Sequence, residues 1–401
     1  MSAKLGSEPP MSEAQSLVQK NIRAICDDFD RDYWRQKSVN HEYPHEFVDE
    51  LVDGGWLGVA IPPEYGGEGF GTPEVTVMME EIAAGGAGFS GAQAIHGAIY
   101  NSVPIVNYGS ERRKEELLPK VASGDVSIQA FCLTEPNAGS DSTSIETTAE
   151  KDGDEWVIEG QKIWTSRVDV SDYAVVIART TPIDEVDKPT RGISMFLVDI
   201  EDAVSAGTLE YEKIPKSASD MVNSFEMWFD GVRIPEDALI GEQGNGFYQV
   251  LDGLNEERTV VAAEAIGLGE LAIERGVEYA DNREVFGRSI GKNQAIQHPL
   301  AAAHARLEGA KALTYQTADQ VEGGDQRAVG ARANMAKYLA AEACYEAADA
   351  AVQTHGGFGI ATEYDVERYF REARLTKLVP ITQELVLNYV GEQVLGLPKS
   401  Y

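Results

Sequence analysis

The segment 131-FCLTEPNAGSD-141 stands where the period of the chain changes, and its position decides the architecture. Upstream, residues 13 to 122 are mostly helical in pattern, with Gly and Pro gathered in DGGWLGVAIPPEYGGEGFGTPE. The run AQAIHGAIYNSVPIVNYG in that zone is apolar and expected to be buried; Pro104 argues against one continuous helix through it. Downstream, EWVIEG, YAVVIART, GISMFLVDI and SFEMWFDGVRIP are short, rich in β-branched and aromatic residues and separated by turn residues. They predict strands at the spacing of a small antiparallel barrel or sandwich. From about 241 the helical period returns. GEQGNGF opens it, and positions 247, 250, 254, 257, 261, 265, 268 and 272 recur at heptad-like spacing. An Ala-rich run then reaches Gly356 and Gly357, which can end a helix, so a helical bundle is expected. The reading is mainly α with a middle β domain: a flexible tail over 1–12, a helical domain over 13–122, a β domain over 123–235 and a helical bundle over 236–401.

The 401 residues exceed one compact core. With 66 acidic against 34 basic residues, the formal charge of −32 disfavours nucleic acid and anionic membranes as partners. The acid is spread along the chain and reads as solvated surface. A high-salt cytoplasm, whose ions screen the self-repulsion within a few ångströms, and an ordinary acidic cytosolic enzyme both fit. Cys26, Cys132 and Cys344 form no CxxC pair, so neither a disulfide framework nor a thiolate metal site is indicated. MSAKLGSEPPMSEAQ lacks the apolar core of a signal peptide, and no apolar run approaches a membrane span. A soluble, cytoplasmic protein is expected.

Several motifs have bland readings that prevail. GGEGFG (66–71) has the wrong spacing for a dinucleotide fingerprint and reads as a loop. His41 and His45, separated by Pro44, read as surface histidines. Two others are more specific. FCLTEPNAGSD sets hydroxyls and turn residues after an apolar segment, where backbone N–H groups can face a polar ligand. GQKIWTSR puts Trp164 beside Thr165 and Ser166, an aromatic plane next to hydroxyls that suits a ring system.

In this order and spacing PPEYGGEGFG, FCLTEPNAGSD, GQKIWTS, DNREVFGRSIGKNQAIQ and QTHGGFGIATEYDVERYFREARL resemble the acyl-CoA dehydrogenase family of flavoproteins, over about residues 15 to 400. The resemblance implies an N-terminal helical domain, a small β-barrel, a C-terminal four-helix bundle, a homotetramer, FAD and an electron-transfer flavoprotein as acceptor. It sets Phe131, Leu133, Thr134, Gly139 and Ser140 against the flavin, Ser140 also where flavin and thioester meet. Trp164, Thr165 and Ser166 would cover one flavin face and bond near N5. Arg283, Phe286 and Gln294 match the cluster that receives a neighbouring subunit's FAD, where an arginine fork suits pyrophosphate. Gln353, Gly356 and Gly357 match a close backbone approach to the same cofactor, and Thr382 and Glu384 keep the family pattern.

The implied chemistry removes the α-proton of an acyl-CoA thioester with a carboxylate, while the β-hydrogen leaves as hydride to flavin N5. In 377-KLVPITQEL-385 the usual glutamate is Pro380 and the usual glycine is Ile381. Pro380 is no base, and it lacks an N–H that in relatives helps bind the thioester oxygen, a loss of ~3 kcal/mol unless compensated. Some relatives carry the base on the first long helix of the bundle, before an arginine. GLNEERTVVAAEAIG matches that pattern with Glu257 as base and Arg258 after it. Glu257 also falls on the apolar stripe, three residues after Leu254 and four before Val261. Glu256, turned about 100° away, reads as a solvent residue. Ser140, Leu254, Asn255 and Arg258 are the expected substrate contacts. Two rivals remain: a flavin monooxygenase of this fold, and a silent acyl-CoA or flavin binder. A melting temperature that fails to rise between low and molar salt would exclude the high-salt reading.

Overall fold

The computed structural model describes residues 10–399, so residues 1–9 of the expected tail lie outside the described residues. Seven helices come first. α1 (Glu13–Asp27) opens on a reciprocal cap: Ser12 Oγ accepts from the Gln15 N–H, and Gln15 Oε1 accepts from the Ser12 N–H. It is followed by α2 (Arg31–Asn40), α3 (His45–Asp53), α4 (Thr72–Ile82), α5 (Gly88–Tyr100), α6 (Val103–Tyr108) and α7 (Glu111–Ala122). Pro104 falls in the first turn of α6, so the long apolar run is divided between α5 and α6 as the sequence suggests. GGEGFG forms a loop and turn before α4.

The strand zone folds into β1 (Ala130–Cys132), β2 (Thr148–Asp152), β3 (Glu155–Ser166), β4 (Tyr173–Arg179) and β5 (Ile193–Asp199). A short helix, α8 (Ile200–Ser205), precedes β6 (Leu209–Lys213), β7 (Ser224–Pro235) and β8 (Leu239–Ile240). All eight strands join one sheet in the order β6-β7-β3-β2-β4-β5-β8, with β1 beside β4. The β1–β4 and β2–β4 pairings are parallel, a departure from an all-antiparallel arrangement. β4 reads as an unbroken apolar run because both its faces are buried. Ala174, Val176 and Ala178 pack on one side with Trp156 and Phe196, whereas Val175 and Ile177 pack on the other with Leu117, Leu118 and Val121 of α7.

The bundle begins with α9 (Gly246–Asn282), 37 residues long. A hairpin of β9 (Glu284–Val285) and β10 (Arg288–Ser289) carries Phe286 at its turn, fully exposed with φ 56°. Then come α10 (Gln294–Val321), α11 (Gln326–His355), α12 (Val366–Thr376) and α13 (Gln383–Tyr389). Gly356 takes φ 58° directly after α11, a conformation glycine adopts without strain, and ends the helix where expected. α9 packs against α4, α5, α6, α10, α11 and α12. Of the stripe read from the sequence, Val261, Ala265, Leu268 and Ala272 are core. Among the described residues no helix is long and apolar enough to cross a membrane, no three His, Cys, Asp or Glu side chains gather as a metal site, and Cys26, Cys132 and Cys344 are buried free thiols. His41 and His45 are exposed.

The α9–α4 crossing depends on Gly267. A Cβ there would stand 2.3 Å from the backbone oxygen of Glu80. Alanine favours a helix over glycine by about 1 kcal/mol, but backbone cannot yield as a side-chain tip can. Gly267→Ala should therefore lower stability by about 1–3 kcal/mol in urea unfolding. A gain in stability would show that the two helices do not pack this closely.

Candidate active site

The β3–β7 ladder slips between Lys162 and Thr165, and in that bulge Trp164 takes φ 62°. A bulky side chain pays for such a backbone with strain, and here the result is an indole turned outward and 54% exposed at the edge of a packed sheet. The bulge is tied to the segment after β1, since the Ile163 N–H donates to Thr134 O at 2.9 Å. Beneath lies a buried pair: Lys162 Nζ donates to Glu135 Oε1 at 2.7 Å and to Leu133 O at 3.1 Å. Glu135 also accepts from the N–H groups of Glu146 and Thr147. Burial opposes its charge, but Lys162 and these N–H groups outweigh it and hold its pKa down. The pair fixes the two segments that carry Phe131, Leu133, Thr134, Gly139 and Ser140 on one side and Trp164, Thr165 and Ser166 on the other. Gly139 and Ser140 are exposed, and a Cβ on Gly139 would meet only Thr134 Cγ2, at 4.0 Å. Ser166 Oγ lies 3.1 Å from Ser224 Oγ, which accepts from Lys216 Nζ at 3.0 Å.

Just past this strand Arg167, buried, donates to Gln93 O at 2.7 Å and to Gln129 O at 3.3 Å. It thereby reaches α5, whose His96 faces α9. His96 Nδ1 lies 2.7 Å from Glu264 Oε1, and its Nε2 lies 3.7 Å from Glu257 Oε1. Glu264 has no exposed side-chain surface, and its second oxygen accepts from Gln93 Nε2 at 2.6 Å. The Glu257 side chain keeps 25% exposure. Burial drives the His96 pKa down, but Glu264 and Glu257 outweigh it and push it up to about 9. The Tyr100 ring lies 4.8 Å from the imidazole, tilted 35° to it. Glu256 is not the solvent residue expected of it. α9 has helices on several sides, so the position is half-buried, and burial together with Glu322 pushes its carboxyl up to about 7.

Pro380 is exposed, and the following carbonyl, of Ile381, accepts from Lys337 Nζ at 2.8 Å. Lys337 is buried; burial and Arg258 push it down to about 8, against Glu384. Arg258 Nε is a buried donor without a partner among the described residues. Asn255 leans toward α11, near Gly330 and Gln326, and Leu254 is half-buried. Thr382 caps α13, accepting from the Leu385 N–H, and Glu384 is exposed. Arg283, Phe286, Gln294, Gln353, Gly356 and Gly357 are all exposed and belong to a different part of the molecule. They lie toward the end of the bundle where Tyr279 of α9 stacks on His355 of α11 at 4.2 Å. A cleft of about 660 Å³ opens beside the start of α9, lined by Tyr108, Arg191, Asn245, Tyr248 and Asp252 among others. In it the Arg191 guanidinium lies over the Tyr248 ring at 4.8 Å.

Sequence reasoning missed His96, Glu264, Lys162 and Glu135. The signal was a lone ionisable residue inside an apolar run, in QAIHGAI and in VVAAEAIGL, because a buried charge requires a partner.

Comparison with known proteins agrees across the chain. Models of the acyl-CoA dehydrogenase N-terminal, middle and C-terminal domains match residues 12–125, 130–232 and 244–395. Acyl-CoA dehydrogenase FadE12 of Mycobacterium tuberculosis is 37% identical over 390 residues, 97% of this chain and 98% of that protein. The caffeyl-CoA reductase–Etf complex subunit CarC of Acetobacterium woodii is 32% identical, over 93% of this chain and 96% of its own length. The structure of butyryl-CoA dehydrogenase from Megasphaera elsdenii superposes with a TM-score of 0.89 at 28% identity, covering 97% of this chain and all of the other.

The His96–Glu264 pair should show itself in stability. A histidine whose folded pKa is raised from 6.5 to about 9 contributes stability that is fully present below pH 6.5 and is lost as pH rises through about 9. His96→Gln leaves Glu264 buried without its cation and should cost about 3–5 kcal/mol near neutral pH. The gap in melting temperature between wild type and variant should be wide at pH 6 and narrow at pH 9.5 in thermal scans. A gap that stays constant would mean that the imidazole is neutral in the fold.

Proposed function

The chain belongs to the acyl-CoA dehydrogenase family, and on that premise we propose that it oxidises an acyl-CoA thioester to the 2-enoyl-CoA with FAD, Glu257 being the base that removes the α-proton. The observation that carries this reading is the pairing of an exposed proline at position 380 with a partly open carboxylate on α9. Glu257 does not merely lean to solvent. It has its own cationic partner in His96, and Arg167, three residues past the exposed Trp164, lies behind the same α5 turn.

The residues present suit FAD. An outward indole on a strained bulge offers a stacking plane, with Thr134, Ser140 and Ser166 hydroxyls around it and open space beside Gly139. By the family resemblance Phe131, Leu133, Thr165, Thr382 and Glu384 would also serve the flavin. Arg283, Phe286 and Gln294, with Gln353, Gly356 and Gly357, would serve the FAD of a neighbouring subunit in a homotetramer; the two glycines have nothing within 4 Å of a Cβ. FAD, when bound, supplies the two-electron acceptor. An electron-transfer flavoprotein is the proposed next carrier, in keeping with the Etf complex to which the Acetobacterium relative belongs.

The chain's own groups then have distinct tasks. Glu257 accepts the proton at a carboxylate oxygen in a site where α5 and the β3 end limit water. Arg258, with its unpartnered buried Nε–H, and Asn255 orient the thioester, and Leu254 and Ser140 bound the acyl group. Arg191 in the cleft beside α9 offers the polyanionic CoA a local cation against the acidic surplus of the chain.

Anaerobic titration of the yellow protein with short, branched and long acyl-CoAs should bleach the flavin with one class of thioester. Glu257→Gln should slow that bleaching by about 10²–10⁴-fold. Bleaching at the wild-type rate in the variant would remove Glu257 from the mechanism while keeping the dehydrogenase. No bleaching by any thioester, with flavin bound, would favour the silent binder, and rapid oxygen uptake with an external reductant the monooxygenase.

A further inference from the structure

α5 presents one imidazole to two carboxylates of α9. Glu257 and Glu264 are seven residues apart, two helical turns on nearly the same face, about 10 Å along the axis. His96 spans that interval, with Nδ1 at 2.7 Å from Glu264 and Nε2 at 3.7 Å from Glu257. The Glu264 carboxylate accepts on both oxygens, one from Gln93 and one from His96, so Nδ1 must carry a hydrogen. Nε2 is therefore the nitrogen whose protonation varies, and it is the one turned to Glu257. A bare Nε2 would point its lone pair at a carboxylate, whereas a protonated Nε2 attracts it. A purely structural ion pair needs only Glu264; the second contact reaches the partly open Glu257.

We propose that His96 is a positioning residue for the base: anchored to Glu264, it holds the Glu257 carboxylate in place through Nε2. This rests on the reading of Glu257 as the base. Other groups facing the pair are Tyr100 on α5, Glu256 and Arg258 on α9, Arg167 after β3, and Tyr43, whose hydroxyl donates to Ala94 O on α5 at 2.7 Å. Glu322 bears on the cluster through Glu256. The two carboxylates keep the imidazole cationic at neutral pH, with burial as the opposing influence.

The test begins without substrate. The chain has six histidines, so ¹³Cε1-histidine spectra of the whole holoenzyme are countable, and His96→Gln identifies the signal. The His96 midpoint should fall by about one pH unit or more in Glu257→Gln, and also in Glu264→Gln. A midpoint moved by Glu264→Gln but not by Glu257→Gln would make His96 structural and overturn the proposal. In the second arm, flavin bleaching is followed against acyl-CoA concentration for His96→Gln. For the case in which that variant folds poorly, His96→Gln/Glu264→Gln removes the stranded carboxylate as well. The saturating rate should fall by about tenfold or more while the half-saturating concentration stays within about twofold. An unchanged saturating rate in the folded variant overturns the proposal. If Glu257→Gln bleaches like wild type, the base assignment fails by itself, and the spectra still report whether His96 and Glu257 are coupled.

Discussion

A helix packed against six others has little solvent on which to rest a charge, and α9 carries Glu256, Glu257, Arg258 and Glu264 within about three turns. Each must find a partner or give up its charge. Glu264 takes His96 and Gln93, Glu257 shares the same imidazole, and Arg258 has Glu257 and Tyr389 for company. Glu256 meets burial and then Glu322, a like charge, and its carboxyl moves toward neutrality. Two adjacent glutamates on one helix thus differ in character because they face different neighbours.

The sheet solves a related problem with the opposite sign. A buried lysine under the segment after β1 is sustained by one carboxylate and one carbonyl. The Lys162–Glu135 pair costs desolvation and is weak evidence for stability by itself. Its geometric consequence is specific, however: it pins the end of β1 to the strand that bulges at Trp164, so the exposed indole and the turn at Gly139 are held by the same contacts. Strain at Trp164 is tolerated because the surrounding ladder over-determines it.

Much of this was legible in the sequence, for identifiable reasons. The change from a period near 3.6 to a period of 2 and back follows burial on one helix face or alternate strand positions, and Pro104 and Gly356 punctuate helices through their own backbone preferences. Trp164 and Glu257 stood out because an aromatic beside hydroxyls and an acid on an apolar stripe violate local pattern. Glu256 was misread because one-dimensional periodicity assumes a solvent side, which α9 lacks there. His96 and Glu264 were visible only as separate oddities. Their meeting depends on how α5 crosses α9, a contact between residues 168 apart in the chain.

The position of the carboxylate also bears on how firmly it can be aimed. The segment around Pro380 is a connection between α12 and α13, held at Ile381 by a lysine that burial has already weakened as a cation. Glu257 sits instead in the continuous hydrogen-bonded ladder of α9, and its side chain meets a ring anchored from behind. A group on a packed helix has fewer ways to stray than one on a connection, and an ordered partner removes more of its rotamer freedom. With Glu257 as the proposed base, the shift from the connection to the helix gives up a backbone N–H at position 380, which proline cannot supply. It gains a carboxylate whose direction and charge are set by a second helix. The loop is then left with packing and support for the pocket, tasks for which proline and isoleucine are sufficient.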